Sequence, residues 1–234
     1  MFNSIVAFLI TAVICVIWLR GVDMFAHKGL ISARVSRKII HIGTGPIFIL
    51  CWLLFKDGVS SRYLAAIIPL LITLQFAMVG LGIMQDKASV DAMSRSGDRR
   101  EILKGPLIYG IVFVALTILF WKDRPIGMIA LLMMCGGDGM ADLVGGKFGK
   151  VKIPWSRNKS LAGSVAVFLF GVVFSLVVLG IFSVADRSAL PFSEIVVPVL
   201  VIGLLVTLVE SLPVKDIDNI TVPLTAVLAG FVLF

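Results

Sequence analysis

Charge is scarce in this chain. Asp, Glu, Lys and Arg together make up 15% of its 234 residues, where a soluble domain carries about a quarter. With 59% hydrophobic residues and a mean hydropathy of +1.07, that shortage excludes an ordinary soluble enzyme. Cysteine is scarce as well. Cys15, Cys51 and Cys135 each stand alone in an apolar run. They offer neither a disulfide framework nor a metal-ligand spacing, and they read as small buried hydrophobes. Two histidines are too few for a Cys/His cluster, and no H-E-x-x-H occurs. There is no G-x-x-x-x-G-K-[ST] loop and no protein-kinase glycine loop or H-R-D set. Internal repeats, low-complexity tracts and linkers are also missing, so residues 1–234 read as one domain. Nothing points to nucleic acid as a partner.

What the chain has is long apolar runs. A bilayer-crossing helix needs roughly 17–25 mostly apolar residues. Candidate spans are 3–20, 39–55, 63–84, 105–121, 125–146, 161–184, 194–212 and 219–234. The expected fold is therefore all-α, a polytopic integral membrane helical bundle of seven to eight transmembrane helices. The first span has no basic segment before it and no small-residue cleavage site, so it is expected to remain a membrane helix. The segments between the spans carry 5, 2, 5, 2, 5, 1 and 1 Lys or Arg in order. By the positive-inside rule, segments 20–38, 85–104 and 147–160 face the cytoplasm. Segment 213–218 joins them if there are eight spans.

The unusual polar residues fall on that same side. His41 follows "RVSRK". The run "DAMSRSGDRREILKGP" (91–106) is the second basic segment. Asp138 and Asp142 lie among glycines, just before "KVKIPWSRNKS". Glu210 and "SLPVKDIDN" follow the seventh span. Asp138 and Asp142 are spaced i,i+4 and share a face on a helix. Charges placed among lipid-facing residues are costly and commonly mark a site. Two hard oxygen donors one turn apart suit Mg²⁺, which is held by one or two carboxylates plus substrate phosphates. Glycines permit close backbone approach, and the nearby Lys and Arg side chains suit a metal-bound polyphosphate. Two other readings of the Asp pair stay open: structural ion pairs with basic neighbours, or the lining of an ion pathway. "DGMAD" begins like the D-G-x-x-A-R motif of CDP-alcohol phosphotransferases, but the Arg and the later paired aspartates of that motif are missing.

Five blocks, in order, carry a resemblance: "SRKIIHIGTG" (36–45), "MSRSGDRREILKGPLIYG" (93–110), "CGGDGMADLVGGKFG" (135–149), "KIPWSRNKSLAGSVAVFLFG" (152–171) and "VESLPVKDIDNITVPL" (209–224). Together they resemble the phytol kinase family, part of a wider group of CTP-dependent lipid kinases that includes dolichol kinases. The chain has neither the long N-terminal extension of dolichol kinases nor the transit peptide of plant phytol kinases, so a bacterial or archaeal source is the expectation. The resemblance implies transfer of the γ-phosphoryl group of CTP, or a related nucleotide, to the hydroxyl of a membrane-dissolved isoprenoid alcohol, with Mg²⁺ as cofactor. The expected place is the inner (plasma) membrane, with the site facing the cytoplasm.

On that basis Asp138 and Asp142 are expected to hold Mg²⁺ or orient the hydroxyl. Lys159, Lys152 and Arg157 are expected on phosphates, with Asn158, Ser160, Gly136 and Gly137 beside them. Arg99, Arg100 and Arg95 bind phosphates or close the site, with Glu101 and Asp98 as partners. Arg37, Lys38 and His41 border it, Lys38 on phosphate. Glu210, Asp218 and Asn219 complete it. The catalytic base is open among Asp142, Glu210 and His41. A helix starting just after Lys159 would add N–H donors for phosphate. Two rival functions remain: a CTP-dependent cytidylyltransferase making a CDP-lipid, which would release pyrophosphate, and a non-enzymatic transporter, which would show an internal repeat and mid-membrane acids.

Overall fold

The structure is a computed structural model, and it describes residues 2–94, 96–185, 190–214 and 217–234. Its helices are α1 (Ser4–His27), α2 (Ala33–Cys51), α3 (Val59–Leu81), α4 (Lys87–Met93), α5 (Gly105–Phe120), α6 (Pro125–Leu132), α7 (Gly139–Phe148), α8 (Leu161–Ala185), α9 (Phe192–Glu210) and α10 (Asp218–Leu233). Short 3-10 turns cover Trp52–Leu54 and Arg99–Leu103, and a π-helical stretch, Met133–Asp138, joins α6 to α7. In lipid every backbone N–H and C=O must find an internal partner, which helices supply. Each of the eight expected spans is a helix. Among the described residues, seven helical stretches are long and apolar enough to cross a bilayer. The eighth, α10, has 16 residues. That is about 24 Å, short of a hydrocarbon core of about 30 Å.

Two segments expected as loops have structure of their own. Segment 85–104 holds α4 and the 3-10 turn. Segment 147–160 holds the end of α7 and an antiparallel hairpin, β1 (Lys152–Ile153) with β2 (Ser156–Ser160). The hairpin is the exception to the all-α expectation. Pro154 and Trp155 make its turn, and Trp155 Nε1–H donates to Ser211 Oγ at 3.1 Å, tying the turn to the end of α9.

The stretch from α6 through the π turn runs through the centre of the bundle. Every residue from Ile126 to Gly137 is buried. The outer helices turn apolar side chains outward, such as Leu9, Val13 and Ile17 on α1, Leu169, Val173 and Val177 on α8, and Leu224 and Leu228 on α10. Such faces suit a lipid solvent.

The interhelical contacts sort the helix ends into two groups. At one end Phe2 N–H donates to Leu54 O at 3.0 Å, Ser4 Oγ meets Ser61 Oγ at 2.9 Å, Lys122 pairs with Asp57 at 2.7 Å, and Arg62 pairs with Asp123. At the other end Arg37 donates to Ser94 O at 3.0 Å, Gln75 to Asp86 at 3.0 Å and Asn219 to Gly105 O at 3.2 Å. This second end gathers the polar clusters singled out in the sequence.

Candidate active site

A cavity of about 350 Å³ opens at the second end and runs inward between α1, α2, α3 and α5. Its inner walls are apolar. They comprise Cys15 and Trp18 of α1, Ile40, Ile47 and Phe48 of α2, Ile68, Ile72 and Phe76 of α3, and Phe113 of α5. Its mouth is charged. Arg37, Lys38 and His41 come from α2, and Glu101 and Lys104 from the turn before α5. Asp138 and Asp142 come from the centre of the bundle, and Asp218 and Asn219 from the start of α10. A cavity of this kind can take an amphiphile, with its apolar part inside and its polar end at the mouth.

The expected Asp pair is divided between two arrangements. Asp142 forms an ion pair with Lys38 at the mouth. Asp138 instead joins Glu210 and Asp218, each offering one carboxylate oxygen, all within 4.8 Å of one another. Glu210 is only 3% exposed, and its Oε2 is buried with no hydrogen-bond partner. The other oxygen, Oε1, accepts from Lys159 Nζ at 2.5 Å, and the same ammonium reaches Asp218 Oδ2 at 3.1 Å. Burial works against the charge on Lys159. The hydrogen bond and charge of Glu210, with those of Asp218, outweigh burial and raise its pKa above the ordinary lysine value. Three hard oxygen donors with one buried oxygen unsatisfied fit a Mg²⁺ ion.

The π turn shapes the same corner. An i→i+5 turn disrupts the regular ladder, and such turns are frequent at functional sites. Met134 O meets His41 Nε2 at 3.3 Å. A carbonyl can only accept, so this nitrogen carries the proton. Asp138 Oδ2 lies 3.7 Å from the same nitrogen. Tyr109 holds His41 from the other side. Its hydroxyl donates to His41 O at 2.8 Å and lies 3.0 Å from Cys135 Sγ, with the two rings 4.4 Å apart.

Several expected phosphate ligands sit elsewhere. Gly136 and Gly137 are buried against α8, where a Cβ would meet the Phe174 ring at 2.6 Å and Val167 O at 3.0 Å. They permit close helix packing and do not line the cavity. Ser160 Oγ accepts from Gly163 N–H at 3.2 Å and so caps α8. Lys159 lies in β2, directly before α8, where the sequence placed it. Arg99 donates to Gly80 O at 3.0 Å and lies over Gly82, whose φ of 79° ends α3. This is the role of a basic side chain at a helix C-terminus. Arg100, Lys152, Arg157 and Asn158 are exposed and off the cavity lining. The carboxylate of Glu101 gathers Ser94 Oγ at 2.8 Å and Ser96 Oγ at 3.0 Å, and Asp98 caps the turn through Arg100 N–H at 2.9 Å. Arg95 lies outside the described residues.

Three polar lining residues, Thr44, Lys104 and Tyr109, are not among those the sequence singles out. Tyr109, one of two tyrosines in the chain, is the largest polar side chain of a mostly apolar helix, and that is the available signal.

The chain matches no family model and no solved structure. Curated relatives are clear. The chain is 39% identical over 214 residues to phytol kinase 1, chloroplastic, of Arabidopsis thaliana, covering 91% of this chain and 70% of that protein. It is 37% identical over 238 residues to farnesol kinase, chloroplastic, of the same plant, covering 99% of this chain and 76% of that protein. Both names place those proteins in chloroplasts and lend no support to a plasma membrane. The apolar helices make this chain an integral membrane protein, in whichever membrane it resides. Identity at this level along nearly the whole chain shows that the chain belongs to the phytol kinase family.

Proposed function

We propose that this chain is a Mg²⁺-dependent kinase that transfers the γ-phosphoryl group of CTP to the hydroxyl of an isoprenoid alcohol, at the end of the bundle facing the cytoplasm. One observation carries the reading: an apolar cavity whose mouth holds carboxylates and cations from α2, the turn before α5, the central helix and α10. The names of the relatives, a phytol kinase and a farnesol kinase, support an isoprenoid acceptor. A nucleotide is water-soluble and the alcohol is dissolved in lipid, so the two meet at a membrane surface. The basic segments of the chain lie on that same side.

Phosphoryl transfer depends mainly on positioning and charge neutralisation. The inner walls hold the hydrocarbon and bring the hydroxyl to the mouth. Asp138, Glu210 and Asp218 are the residues that would hold Mg²⁺, which supplies neutralisation of the charge on the phosphate oxygens. Arg37, Lys38 and Lys104 add positive charge at the mouth. His41, protonated on Nε2 and braced by Tyr109, is a donor at that nitrogen rather than a base. Asp142 is at the mouth, half-exposed beside Lys38, and takes the hydroxyl proton. The alcohol oxygen bonds to the γ-phosphorus, the bond from that phosphorus to the bridging oxygen breaks, and CDP leaves.

The test is purified protein in detergent with Mg²⁺, γ-labelled CTP and a panel of isoprenoid alcohols. Label should enter the lipid phase with equal release of CDP, and Asp138→Asn should cut turnover about a hundredfold or more. Release of pyrophosphate with no label in lipid would mean a cytidylyltransferase instead.

A further inference from the structure

We infer that the cavity selects its alcohol by length, with Phe48 and Phe113 as a floor that admits hydrocarbon of about 15–20 carbons and stops longer chains. The inference rests on the isoprenoid-alcohol reading above, and it concerns which alcohols fit.

The depth follows from the helices. Lining positions on α2 run from Lys38 at the mouth to Phe48, about 15 Å at 1.5 Å per residue. On α5 they run from Gly105 to Phe113, and on α3 from Phe76 back to Ile68, each about 12 Å. Three walls thus end at a similar level. An extended carbon chain with bonds of about 1.5 Å advances roughly 1.25 Å per bond, so this depth takes about 10–12 bonds. Three isoprene units, about 12 main-chain carbons, fit extended, and a fourth fits with a bend. Six units would need roughly twice the depth by the same arithmetic.

The floor is closed by packed aromatic rings. Phe48 and Phe113 are each 2% exposed, with ring centroids 5.9 Å apart. Behind them Phe48 packs edge-on against Trp52 at 5.9 Å, and Trp52 stacks on Trp121 at 4.8 Å. Trp52 is fully buried and Trp121 nearly so, so a tail cannot pass through without displacing several rings. Helix α1 covers one side. Helix α1 packs across both α2 and α3, and the Trp18 ring fills the space that a side chain at Gly43 would take.

The experiment measures two properties of the full chain in detergent. One is the rise in melting temperature on adding prenols of 10, 15, 20 or 30 carbons, which reads binding without catalysis. The other is phosphorylation of the same alcohols in competition. The C15 and C20 alcohols should stabilise the native protein and the C30 alcohol should not. Phe113→Ala, and the milder Phe113→Leu, should raise the C30-to-C20 preference about tenfold or more. Ile68→Phe, which fills the same depth from the opposite wall, should shift the preference toward C10. A native protein that binds C30 as well as C20, or folded variants with an unchanged length profile, would overturn the inference. A length profile that holds while no alcohol is phosphorylated would sink the kinase reading and leave the length selection standing.

Discussion

Lys159 has partners in the fold that its place in the sequence does not reveal. Its position in "NKSLAGS" suggested a phosphate ligand at a helix start. In the structure its ammonium lies between Glu210 and Asp218, as a counter-ion to the three-carboxylate cluster. Its pKa is raised, so the stabilisation from this charge is complete below the ordinary value of 10.5 and is lost only as pH climbs through the higher folded value. At neutral pH the cluster therefore keeps its ammonium. Lys159→Met should leave three carboxylates without it and destabilise the protein by about 3 kcal/mol, as removing one partner of a buried ion pair does. Mg²⁺ should then raise the melting temperature of Lys159→Met more than that of the native chain, because the ion replaces the lost charge. Thermal melts with and without Mg²⁺ measure this, and an equal Mg²⁺ effect on both proteins would remove the cluster as the metal site.

At the scale of elements, the π turn and α8 depend on the absence of side chains. Gly136 and Gly137 let the centre of the bundle touch α8 at Phe174 and Val167. Glycines at these positions allow close approach. Their place in the sequence does not say whether a phosphate or another helix does the approaching, because the partner residues lie 30 or more positions away in the chain. Gly136→Val should overpack this contact and cost about 1–3 kcal/mol. Gly21→Ala, inside α1 with open space around it, should be neutral or stabilise by up to about 1 kcal/mol. Chemical or thermal unfolding in one detergent compares them. If Gly136→Val were as stable as the native chain, the close contact with α8 would not require glycine.

At the scale of the whole molecule, sidedness can be tested directly. The native cysteines are buried, so single cysteines introduced on the surface report cleanly. Positions in 85–104 and in the 152–160 hairpin should resist an impermeant thiol reagent applied from the non-cytoplasmic side of sealed membranes, while positions near Asp57 or Asp123 should react. Equal labelling at both ends would overturn the charge-based topology. The order of helices was legible in the sequence because it rests on local properties. Each span is a continuous apolar run, and each basic segment lies next to the helices it orients, so the eight helices and the gathering of polar clusters at one end follow from composition and order. The cavity and the carboxylate cluster were not legible in the same way. Asp138, Glu210 and Asp218 come from the central helix, α9 and α10, and the floor joins Phe48 of α2 to Phe113 of α5. Apolar residues pack interchangeably in a sequence pattern, and spacing along a chain carries no distance between helices. By itself, then, the sequence determined a helical membrane protein with its polar clusters at one end. Only the packing of the helices decided which carboxylates meet, which glycines face a helix rather than a ligand, and how deep the cavity runs.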